Sequence, residues 1–87
     1  MDPQFRKNSI VNAINNEIDR LNDCLDKNYI FDRTQIDGLM RLADILNDVN
    51  SSEMLYGDVD KEIAAKIDTL IERYKFITNP ENQAEHH

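Results

Sequence analysis

FDRTQIDGLMRLADILNDV, residues 31–49, is the stretch that decides how this chain is read. Asp32 has N-cap chemistry, and Gln35 stands three residues on, where a capping box takes its second member. Phe31 and Ile36 have the spacing of a hydrophobic staple around that start. On a helical wheel, Ile36, Leu39, Met40, Ala43 and Leu46 share one face, and Leu42, Ile45 and Val49 form a second beside it. Together they cover an arc of roughly 220°, about twice the stripe that a surface helix needs. Arg33, Asp37, Arg41, Asp44 and Asp48 fill the remaining side, with opposite charges three or four residues apart, and this strip is expected to face water. Gly38 weakens the helix by about 1 kcal/mol relative to Ala and offers room for a neighbour's close approach. So wide an apolar arc predicts a helix gripped on two sides.

Working outward, the composition fits one small all-α domain. The 87 residues contain two Gly and two Pro, and only 7% are aromatic. A chain this short buries about 60% of its unfolded surface, so its core is thin. The formal charge of −7 opposes direct binding to nucleic acid or to an anionic membrane. No apolar run reaches the ~20 residues of a membrane span, and no signal-peptide pattern opens the sequence. The single cysteine, Cys24, has no internal disulfide partner, which together with the missing signal peptide leads to a cytoplasmic expectation. Cys24 lies at the edge of an apolar face with no cationic cluster in sequence beside it, the setting of a half-buried residue rather than a reactive thiol. His86 and His87 close the chain and read as the remnant of a purification tag.

Residues 1–8 read as a partly ordered lead-in. Asp2 and Pro3 offer one possible helix start, and Asn8 or Ser9 a later one. From residue 9 to 27, Ile10, Val11, Ile14, Ile18, Leu21 and Leu25 define one narrow helical face. Asn12, Asn15, Asn16, Asp19, Asn22, Asp23 and Asp26 are on the other side, and the Asn content leaves this helix dependent on packing. Asn28 suits a left-handed C-cap, and Tyr29, Ile30 and Phe31 are expected to plug one end of an antiparallel bundle.

The segment Asn50, Ser51, Ser52 is expected to end the central helix. Beyond it, Leu55, Val59, Ile63, Ile67, Leu70, Tyr74 and Ile77 recur at helical spacing, which favours one continuous helix. Gly57, followed by Asp58, Asp60 and Glu62, favours a break or kink with Asp58 as the new N-cap, and this is the reading preferred. Asn79-Pro80 ends the helix, and residues 80–87 form a disordered tail. The expected fold is a small antiparallel three-helix bundle over residues 9–79. The alternative is an open bundle or hairpin that self-associates through Leu42, Ile45 and Val49.

Chemistry is sparse. There is no internal His, and Ser9, Ser51 and Ser52 occupy cap or loop positions with no base in view. No phosphate-binding glycine loop occurs. Asp58, Asp60 and Glu62 begin with the spacing of a calcium loop, but Ile63 stands where the tight-turn glycine belongs and Lys61 brings the wrong charge. No catalytic residue, cofactor or metal ligand is assigned. The run Lys66-Ile67-Asp68-Thr69-Leu70-Ile71-Glu72-Arg73-Tyr74 resembles the second helix of the sporulation-type aspartyl-phosphate phosphatases, short helical hairpins that dephosphorylate response regulators. Their Ser-Gln-Glu-Leu-Asp signature falls here on Ala64, Ala65, Lys66, Ile67 and Asp68, so only Asp68 carries over.

These readings converge on a non-enzymatic regulator or inhibitor that docks a helix face onto a protein partner. Leu42, Ile45, Val49 and Arg41 are the candidate interaction residues, at the i, i+3, i+7 spacing of helix-in-groove binding. By composition alone, such chains are common among bacteriophage and mobile-element accessory proteins, including antagonists of host or lysis functions. The alternative is a structural homodimer or higher oligomer using the same face. A third, an acidic nucleic-acid mimic, is disfavoured because the acids are spread over all three helices among Lys and Arg.

Overall fold

The computed structural model describes residues 2–29 and 31–78. The chain forms a three-helix bundle of α1 (Pro3–Asp26), α2 (Arg33–Glu53) and α3 (Asp58–Thr78). No helix among the described residues is long and apolar enough to cross a membrane. The tail expected over residues 80–87, and the Ile30 part of the expected plug, lie outside the described residues.

α1 takes the earlier of its two possible starts. The Asp2 side chain accepts from the Gln4 amide at 3.0 Å and Pro3 opens the first turn, so most of the expected lead-in is helix. Asn28 is left-handed (φ 61°), as its side chain suggested. Around it the Tyr29 amide donates to Cys24 O and the Asn28 amide to Leu25 O, the two bonds of a Schellman stop.

α2 begins after Asp32, but no side-chain capping bond forms there. The capping box fails because Gln35 turns its Oε1 to Arg20 of α1 at 2.5 Å, where a guanidinium is the stronger donor. The helix runs through Asn50, Ser51 and Ser52 rather than ending there, and stops at the left-handed Met54 (φ 55°). A break then separates α2 from α3. Gly57, not Asp58, takes the cap position, and its amide donates to Asp60 Oδ2 at 2.7 Å.

The packing differs from the sequence expectation in one important respect: the hub is α1, not α2. α1 packs along both other helices, while the backbones of α2 and α3 barely approach each other. The narrow stripe of α1 is enough because both neighbours meet it from the same side. Val11, Ile14, Ile18, Leu21 and Leu25 are all buried, with Ile14 and Leu21 fully enclosed. Leu39 and Leu46 of α2 and Ile63, Ile67 and Leu70 of α3 complete the core. Polar bonds follow the same plan. Arg73 of α3 reaches Asn22 and Asp26 of α1, each at 2.7 Å, and Lys66 reaches Asn15. Asn15 and Asn22, expected on the side away from the packing, instead border α3.

Candidate protein interface

The seam between α2 and α3 is tied at its two ends and recessed between them, above the buried core. At the end where α1 begins, called the lower end here, three helices meet in a buried polar layer. Lys7 of α1 is only 3% exposed, and its Nζ donates to Leu55 O and to Asp60 Oδ2 of α3, the latter at 2.9 Å. Asn50 of α2, 2% exposed, donates from Nδ2 to Asp60 Oδ1 at 2.6 Å. Partial burial pushes the Asp60 carboxyl up, but hydrogen bonds from Lys7, Asn50 and the Gly57 amide, with the Lys7 charge, outweigh it and hold it below its usual value. Asn50 Oδ1 is buried without a partner. At the upper end Phe31 stacks on Tyr74, ring centroids 5.1 Å apart. Tyr29, expected to help plug this end, is 65% exposed instead.

Between these ties lie two recesses. The lower one, about 250 Å³, has a largely apolar floor of Ala43, Leu46, Ile63, Ala64 and Ile67. Asp44, Asn47, Asn50, Tyr56 and Asp60 also line it, with no Lys or Arg. Tyr56 is held in place by its hydroxyl, which donates to Asn47 Oδ1 at 3.0 Å and lies 2.8 Å from Ser51 Oγ. The upper recess, about 410 Å³, combines Ile36, Met40, Ile71 and Tyr74 with Arg33, Lys75 and Asp37. Met40 is 40% exposed there. The seam is therefore an apolar groove with more acid at one end and more base at the other.

The sequence-selected residues share one side of α2 but differ in exposure. Val49 is buried, Leu42 is half-buried against the core, and Ile45 and Arg41 are exposed. The second arc of α2 is thus largely part of the bundle, and the first arc, through Met40 and Ala43, contributes more to the open groove. Nothing lies within 4 Å of a Cβ built on Gly38, so the room read there serves no close approach. Asp68 is exposed on α3, Cys24 is half-buried, and Asp58 and Asp60 lie in the first turn of α3. No cluster of three or more metal-ligating side chains occurs among the described residues.

The polar layer and the groove were missed from sequence. The layer has a signal in hindsight. Lys7 continues the 7, 11, 14, 18, 21, 25 register of α1, Asn50 the 36, 39, 43, 46, 50 register of α2, and Asp60 the 60, 63, 67, 70, 74 register of α3. Polar residues in a core register at one end of each helix belong to one layer.

Comparison of the chain with protein-family models, with curated proteins and with solved structures gives no match.

Proposed function

We propose that this chain is a non-enzymatic protein-interaction module that takes a helix of a protein partner into the α2–α3 seam. One observation carries the reading: α1 packs against both neighbours, whereas α2 and α3 leave an apolar groove between them. In a square four-helix bundle each helix packs on two neighbours and the diagonal pairs stay apart. α2 and α3 approach each other less closely than either approaches α1, so their seam is where a further helix would be added. A regulator or inhibitor in the cytoplasm would work in this way, by completing its bundle with a segment of its target.

The test is solution mass by sedimentation equilibrium over a wide dilution range, for the wild type and for Met40→Lys. A monomer in both cases supports a groove kept for another protein. A wild-type dimer that Met40→Lys disperses would assign the groove to self-association and contradict the proposal. Leu42→Asp is the companion variant: it is expected to unfold the monomer, because Leu42 packs against the core.

A further inference from the structure

The two recesses differ in charge, and this difference selects an occupant. Asp44 and Asp60 are the ionisable groups in the lower recess, together with the Tyr56 phenol, and Lys7 already holds Asp60. Asp44, exposed on α2, remains to face a ligand. The apolar floor beneath it suits the methylene stem of a Lys or Arg, whose charged head would reach Asp44. The upper recess has the opposite balance, with Arg33 and Lys75 against Asp37. Its surplus cation suits an Asp or Glu. Resting on the reading of the seam as a docking groove, we infer that the occupant is an amphipathic helix of a protein partner. It carries a Lys or Arg over the lower recess and an Asp or Glu on the same face over the upper one.

The spacing follows from the groove. On α2, Asp44 of the lower recess and Arg33 of the upper are 11 residues apart in sequence, roughly 16 Å at the rise of a helix. The matching cation and anion on the partner are therefore 10 or 11 residues apart, about three turns, with apolar residues on the same face between them. A second copy of this chain fits less well. Two grooves facing each other leave a void between them. A convex apolar helix fills the groove.

The experiment selects displayed helical peptides, about 20 residues long, against the full chain. The library fixes an apolar face and randomises the positions beside it among Lys, Glu and Ala. Selected peptides are expected to carry a Lys and a Glu 10 or 11 residues apart. Their binding should fall at least tenfold on Asp44→Lys and be lost on Ala64→Lys. Both substitutions are at exposed helix positions, and unchanged circular dichroism confirms the fold. If selected peptides lose binding on Ala64→Lys but show no charge spacing and ignore Asp44→Lys, the inference falls and the docking groove stands. If selected peptides ignore Ala64→Lys and Met40→Lys, or if none is selected, both fall.

Discussion

The two seams of α1 and the seam between α2 and α3 are built from the same kind of helix and end differently. Along α1, Ile14 and Leu21 are enclosed, Arg20 reaches across to α2, and Arg73 and Lys66 of α3 reach back. Between α2 and α3, Leu39 and Leu46 share the buried core with Ile63, Ile67 and Leu70, Asn50 meets Asp60 at the lower end, Phe31 just before α2 stacks on Tyr74 at the upper, and the small residues Ala43 and Ala64 line the lower recess. Closed seams supply stability. The recessed seam has a floor of buried core residues, Leu46, Ile63 and Ile67, with Met40 and Ala64 exposed along it, and its charged lining gives it polarity. The width of an apolar arc therefore does not identify the hub of a bundle. The narrow stripe of α1 serves two neighbours that share one side of it, whereas the wide arc of α2 is divided between α1 and the groove.

The contrast gives a graded set of expected outcomes. Leu39→Ala removes a fully enclosed side chain from the core and should cost about 3 kcal/mol in urea unfolding. Lys7→Ala should cost about 2 kcal/mol, because the part-buried Asp60 carboxylate loses its counter-charge, keeping only the Asn50 and Gly57 donors, and the Leu55 carbonyl loses its Lys7 donor. Combining Lys7→Met with Asp60→Asn should recover most of that loss, as a neutral layer leaves no unpaired charge. The same layer sets an acid limb. The Asp60 carboxyl titrates lower in the folded chain than in the unfolded one, so its contribution is complete above the unfolded value of about 4. It is lost as pH falls below that value and through the depressed folded one. Asp60→Asn should flatten this part of a stability-against-pH curve, and an unchanged acid limb would break the assignment.

Gly38→Ala should stabilise by up to about 1 kcal/mol, since an added methyl meets open space on a helical residue. A loss instead would mean that the α1 flank of α2 is tighter than the structure shows. The smallest effect belongs to the open seam. Ala64→Lys should change stability by no more than about 0.5 kcal/mol.

Periodicity and turn chemistry made the helices legible. Asn28 was read correctly as a left-handed stop, and the acids after Gly57 correctly marked a restart. Met54 was not legible as the stop of α2, because its side chain gives no signal for the left-handed conformation it adopts. Gln35 was misread because its partner, Arg20, comes from another helix. The site was less legible for the same reason. A helical wheel ranks the faces of one helix and says nothing about which face meets which neighbour. Leu42 and Val49 therefore looked like a spare surface, while the open groove took its lining from α2 and α3 together.

The most direct test of the open seam is the alkylation rate of a thiol placed by Ala64→Cys in a Cys24→Ser background, with Ile14→Cys as the buried reference. The Ala64→Cys thiol should react within about tenfold of the unfolded rate at every protein concentration, and the reference should be protected according to the stability of the fold. Protection of both thiols alike would contradict this: protection that fades on dilution would show a second copy in the groove, and protection independent of concentration would show that α2 and α3 close on each other.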